Sequence, residues 1–256
     1  MKELKSVNRT QTMQSKGTAK NKTNFFVLMA IVAILVILIG FLKTFIIPLL
    51  TGTKTWPWVI YLHAGFAFGW VTLFLLQSIL IKSKKYKVHF TLGRWGVFIA
   101  LGAAITIIPA ALYQCERELK EGLGQTAISA ILGACSSALI FLLLVVFAIT
   151  YRKKPQVHKR LMLLATIVLI WPAWFRWRHY FPSIQRPDIW FAVVLADSLI
   201  IIAFIWDWVK NKRIHPALLY TGFFIIAEQC TELIIFDSPG WRLIANAIYN
   251  FLTKQM

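Results

Sequence analysis

From residue 25 to residue 236 the chain alternates long apolar runs with short polar intervals. Within the runs the apolar residues follow neither a helical stripe nor a strand alternation; they are apolar on all sides. Runs of this kind reach about 20 residues, the length a helix needs to cross a ~30 Å hydrocarbon core. Seven spans are predicted, at 25–49, 57–81, 92–113, 125–150, 160–177, 189–209 and 216–236. The fifth is the least regular, because its outer end holds Pro172, Arg176 and Arg178. The intervals carry turn signals: Thr-Gly-Thr-Lys after the first span, Glu-Gly-Leu-Gly before the fourth and Arg-Pro-Asp before the sixth. The final stretch, WRLIANAIYNFL, reads as a short interfacial helix or a tail, so that residues 241–256 stand apart from the membrane domain.

Composition agrees with this pattern. Hydrophobic residues make up 58% of the 256 positions and charged ones 15%, against about 25% charged in an ordinary soluble domain. The expected class is all-α, a polytopic membrane protein whose first partner is the lipid bilayer. The net charge of +18 could suggest nucleic acid, but its placement argues for topology. Six lysines and arginines lie in the polar segment 1–24: Lys2, Lys5, Arg9, Lys16, Lys20 and Lys22. Others gather at Lys82–Arg94, at Arg152–Arg160 and at Lys210–Arg213. These groups recur at every second interval, as they do in the cytoplasmic loops of membrane proteins. The N-terminus is therefore expected in the cytoplasm and the C-terminus outside, in a bacterial inner membrane. Lacking an A-x-A cleavage pattern, the first apolar run is expected to remain as a membrane helix. Trp56, Trp58, Trp174, Trp177, Trp190 and Trp241 fall near outer boundaries, where indole rings favour the headgroup layer.

Two phrases share one form. KKYKVHFTL (84–92) and KKPQVHKRL (153–161) both read KK-x-x-VH-x-x-L, and each precedes an apolar run. They place His89 and His158 at inner-face helix starts of successive hairpins, as a weak duplication would. Two neutral imidazoles on facing helices are an axial pair for b-type haem. Lys87, Arg94, Lys159 and Arg160 would then stand near its propionates. The bland alternative is that each ring bonds water, a headgroup or a backbone carbonyl.

A second set lies in the outer half: His63, Asp197, Glu228, Glu232, Arg176, Arg178 and His179, with Lys43 nearby. Glu228 and Glu232 are four apart and share a helix face. At ~1.5 Å per residue, Asp197 and Glu228 are both roughly 12 Å deep. An ionisable group at such depth costs about 2.5–3.5 kcal/mol on the milder insertion scale, so it turns inward and finds partners. One outward-facing polar cavity is therefore expected. It could bind or move a proton, an ion or a small solute, hold a metal on His63 and carboxylates, or bind an anion on Arg176 and Arg178. The competing reading is a set of structural ion pairs, as in an assembly factor of a membrane complex. Asp207 reads as an interfacial charge, Gln77 as a helix–helix bridge, His215 as a helix start, and Glu116, Glu118 and Glu121 as a solvated loop.

Several classes are absent as motifs. The three cysteines, Cys115, Cys135 and Cys230, form no CxxC or CxxCH. There is no HExxH, GxSxG or Walker loop, and no HxxxH in the last span.

The segment LHAGFAFGWVTLFLLQSILIKSKKYKVHFTLGRWG, through His63, Gln77, His89, Gly93 and Arg94, resembles a pattern in bacterial multi-pass membrane proteins of unknown function. VHKRLMLLATIVL resembles the later H-[KR]-R-x-M helix of the same pattern through His158, Arg160 and Met162. The resemblance covers about 120 residues and implies a membrane fold without an established activity. A looser similarity is to two-haem b-type transmembrane cytochromes. It implies an inner haem on His89 and His158; for an outer haem, His63 lacks a histidine partner on span four.

Overall fold

The computed structural model describes residues 24–254; the tail expected over 1–24 lies almost wholly outside them. Every regular element described is helical. Seven helices are long and apolar enough to cross a membrane: α1 Phe25–Thr51, α2 Trp58–Lys82, α3 Tyr86–Lys120, α4 Gln125–Thr150, α5 Pro155–His179, α6 Asp188–Asn211 and α7 Pro216–Ile235. An eighth, α8, covers Pro239–Thr253. The end of the bundle holding the start of α1 and the α2–α3, α4–α5 and α6–α7 loops is called the basic end below.

The boundaries differ from the hydropathy reading where polar residues extend a helix. α3 begins at Tyr86, six residues before its apolar run, and continues to Lys120. Its last turns include Glu116 and Glu118, which are thus helical rather than part of a loop. Polar pairs one turn apart sustain that extension in water: Gln114 donates to Glu118 at 2.5 Å, and Arg117 lies 3.3 Å from Glu121. α5 begins at Pro155, a residue suited to the first helical position because its missing N–H is not needed there. Both repeated phrases now share one register. In each, the helix starts on the third residue of the phrase and the histidine is its fourth helical residue. The histidine N–H groups bond back to Lys85 and Lys154 at 3.1 and 3.0 Å.

α5 organises the bundle. Helices α1 to α5 pack in sequence and α5 closes back onto α1; α6 and α7 pack on α5 and on each other. α5 also touches α2. Leu163, Leu164, Ala165, Thr166, Ile167, Val168 and Ile170 are consecutive or nearly so, and all are buried. A helix buried all round must sit at the centre. The outer helices instead turn Leu35, Phe98, Ile105, Phe147, Phe223 and Phe224 outward, as helices in lipid do.

With lipid outside, apolar burial gives little drive for helix association, so close packing and internal hydrogen bonds carry more of it. Small residues supply the approach. A Cβ on Gly40 would stand 2.2 Å from the Ala173 carbonyl oxygen, so α1 and α5 touch backbone to backbone there. The indole of Trp70 on α2 donates to Thr166 of α5 at 3.2 Å and meets Phe141 of α4 edge-on at 5.0 Å. Gln77 donates to the His89 carbonyl at 3.2 Å, bridging α2 and α3 as expected.

Two helices are locally widened at the end opposite the basic one. α1 passes through a π-helical turn at Leu42–Ile46, and α6 opens with a π-helical stretch at Asp188–Leu195. α5 tightens there into a 3₁₀ turn, Arg176–His179. The final segment is an amphipathic helix rather than a tail. α8 rests on α4, with Trp241 and Ala245 buried and Leu243, Ile244 and Phe251 exposed. Asp237 fixes its start, accepting from Ser129 at 2.6 Å, Thr126 at 3.0 Å and Arg242 at 2.8 Å.

Candidate functional site

His89 and His158 both stand at the basic end, on helices that do not pack closely together. α2, α3, α4 and α5 form a four-helix group in which α3 and α5 are diagonal. His89 and His158 are near enough for their charges to interact. His158 Nδ1 bonds the Ala148 carbonyl at 2.8 Å, which fixes the ring, whereas His89 Nδ1 is buried without a partner. Beyond them the group is filled: Phe74, Leu144, Val145, Leu161 and Leu164 belong to one buried cluster. These residues do not fit a porphyrin unless that core repacks.

Two of the four cations expected near propionates, Arg160 and Lys159, are committed elsewhere. Arg160 is 2% exposed and Asp207 is 0% exposed. The Arg160 Nε donates to Asp207 Oδ2 at 3.0 Å, and a second guanidinium nitrogen forms a close ion pair with Oδ1. A third bonds the Gln156 carbonyl at 2.7 Å and its side-chain oxygen at 2.9 Å. Asp207 accepts two more bonds, from Asn211 Nδ2 at 2.6 Å and the His215 backbone N–H at 2.8 Å. The interfacial reading of Asp207 is thus overturned. It is the buried end of a lock between α5, α6 and the α6–α7 loop. Lys159 lies over the Phe26 ring, 5.0 Å from its centroid. His215 caps α7, its Nδ1 accepting from the Ala217 N–H at 3.2 Å. Burial, reinforced by Arg160, holds this imidazole below its usual range and keeps the accepting neutral form.

The polar residues expected in one cavity fall into two groups. Asp197 on α6, and Glu228 and Glu232 on α7, form the first. Asp197 is 6% exposed, and neither carboxylate oxygen has a hydrogen-bond partner. Its charged neighbour is Glu228, which also acts on Glu232. Glu232 accepts from Ser136 of α4 at 3.3 Å. It sits so close to α4 that a Cβ on Gly133 would meet its Oε1 at 2.1 Å. Glu228, Glu232, Ser136, Thr231 and Trp241 line a cleft of about 420 Å³. Asp197 and Ser198 line a neighbouring, mostly apolar one of about 450 Å³. Sequence reasoning missed Ser136 and Gly133. Their signal was a glycine and a serine three positions apart in α4.

The second group gathers around the last turns of α5. His63 on α2 bonds Thr106 of α3 at 3.0 Å, and its charged neighbour is Arg176, not an acid. Arg176 donates to the Pro172 carbonyl at 3.0 Å and Arg178 to the Phe175 carbonyl at 3.3 Å. Their guanidinium carbons lie 4.3 Å from the Phe41 centroid and 3.8 Å from the Phe175 centroid. The Lys43 ammonium reaches the His179 carbonyl at 3.3 Å. No cluster of three His, Cys, Asp or Glu with metal-ligand placement occurs among the described residues. A metal on His63 with carboxylates is therefore not supported.

The chain matches no family model, and comparison with curated proteins and with solved structures finds no match either.

Proposed function

We propose that this chain is a multi-pass protein of a bacterial inner membrane, with its basic end in the cytoplasm, that takes up protons or small cations from the outer side at Asp197 and at the separate cleft lined by Glu228 and Glu232. The observation that carries the reading is Asp197. It is a carboxylate buried in a membrane helix with both oxygens unpartnered. Its charged neighbour is a second acid. Such a group needs a proton, a cation or a donor, and the described residues supply no donor. Glu228 and Glu232 sit one helical turn apart on α7 and continue the carboxylates along that helix, with the Ser136 hydroxyl held against them. The orientation rests on the grouping of lysines and arginines in alternate loops.

The test is cation and proton flux into proteoliposomes, read with a pH-sensitive dye and with Na⁺ or K⁺ gradients. Asp197→Asn, Glu228→Gln and Glu232→Gln should abolish or shift the flux while folded yield stays the same. Loss of yield in all three, with no flux in the wild type, would favour a structural or assembly role. A Soret band from protein made with haem supplied would favour the redox alternative on His89 and His158.

A further inference from the structure

We propose that the last turns of α5, together with the π-helical turn of α1, form a binding site for a phosphate-class oxyanion, independent of the carboxylate cleft. The argument starts from unmet hydrogen bonds. Buried polar side chains almost always find partners, yet three here do not: Thr44 Oγ1 and the indole nitrogens of Trp174 and Trp177. All three can donate, and an indole N–H can do nothing else. Trp174 is only 8% exposed, and the two indoles lie 4.9 Å apart. Thr44 belongs to the π turn beside Lys43, whose contact with the His179 carbonyl ties that turn to the end of α5.

The cations in the same region are equally short of acceptors. Arg176 and Arg178 each donate to one backbone carbonyl, and neither has a carboxylate within 4.0 Å among the described residues. The one acid whose charge favours both is Glu118, which already accepts from Gln114 at 2.5 Å. Arg117, also felt by both, lies beside Glu121 at 3.3 Å. Lys43, Arg176 and Arg178 therefore leave a surplus of positive charge beside buried donors that lack acceptors. What is missing is an acceptor-rich anion. Two guanidinium forks and planar N–H donors suit the several oxygens of a phosphate better than a single spherical ion.

A lipid headgroup and a free anion offer the same chemistry, and the test separates them. Purified protein is titrated with inorganic phosphate in phosphate-free detergent. In parallel it is titrated in the same detergent with short-chain phosphatidylglycerol, against a short-chain diacylglycerol that lacks phosphate. Tryptophan fluorescence and thermal midpoint are read in each. The expected result is a saturable change with at least one probe: phosphate alone marks a soluble anion, phosphatidylglycerol alone a headgroup. Arg176→Gln and Arg178→Gln should each weaken the apparent affinity about tenfold or more, the scale of a charged hydrogen bond. Arg176→Lys and Arg178→Lys keep the charge, lose the fork and should fall between. Arg186→Gln, at an exposed ion pair with Asp188, should leave it unchanged. Absence of a saturable response to both probes, or wild-type affinity in both glutamine variants, overturns the proposal.

Discussion

Replacing Arg160 by Met tests the buried lock directly. The substitution keeps most of the side-chain volume and removes one charge. It also removes two bonds to Asp207 and two to Gln156. Asp207 keeps its bonds from Asn211 and from the His215 N–H, but at 0% exposure those two cannot replace a counter-charge. Removing one partner of a buried pair costs about 3–5 kcal/mol, which corresponds to a shift of two to nearly four decades in the unfolding equilibrium at ~1.4 kcal/mol per decade. Asp207→Asn should cost a similar amount, because it strands the guanidinium instead. The double variant Arg160→Met, Asp207→Leu removes both charges and should recover much of the loss. The measurement is reversible unfolding in bicelles, by denaturing detergent titration, for the wild type, both single variants and the double. A cost below about 1 kcal/mol in both single variants, typical of an exposed ion pair, would refute the reasoning.

Three further outcomes follow from local geometry. Gly40→Ala drives a methyl into the Ala173 carbonyl and should cost about 1–3 kcal/mol by overpacking; Gly65→Ala, with nothing within 4 Å, should be near neutral, and thermal unfolding in detergent compares the two. Thr166→Val leaves the buried Trp70 indole without its acceptor, so about 1–3 kcal/mol should be lost, whereas Thr166→Ser should retain most of it. Hydrogen bonds from Arg242, Ser129 and Thr126 hold the Asp237 carboxyl well below the usual carboxylate range. A depressed folded-state value means that its contribution to docking α8 is present at neutral pH and is lost as pH falls below the ordinary range. Protection of the α8 amides, taken relative to the intrinsic exchange rate at each pH, should therefore fall in acid in the wild type, and be low at all pH values in Asp237→Asn.

Much of the fold was legible because one property, the length of apolar runs, answers to one constraint, the thickness of the bilayer. The duplicated phrase even carried the helix starts in register. The site was less legible, for reasons that particular residues make plain. Depth can be counted along a helix, so Asp197 and Glu228 could be matched. The direction each side chain faces around the bundle depends on packing, and that divides His63 and the arginines from the acids. Asp207 misled because a charge near a helix end resembles a topology signal; its partner lies 47 residues back, beyond any local pattern. Thr44, Trp174 and Trp177 look ordinary in sequence, since a missing acceptor becomes visible only once neighbours are in place.

The separation between Arg160 and Asp207 also has a consequence for biosynthesis. α5 packs on α1, α2, α4, α6 and α7, and it leaves the ribosome carrying an arginine whose counter-charge has not been made. The 47 residues that follow Arg160, up to and including Asp207, take about 2–10 s to synthesise at 5–20 residues per second. During that interval Arg160 must remain at the basic-end surface, or in the wet channel of the insertion machinery, because lipid offers it no partner. The ion pair that joins α5 to α6 can therefore close only after α6 has been made.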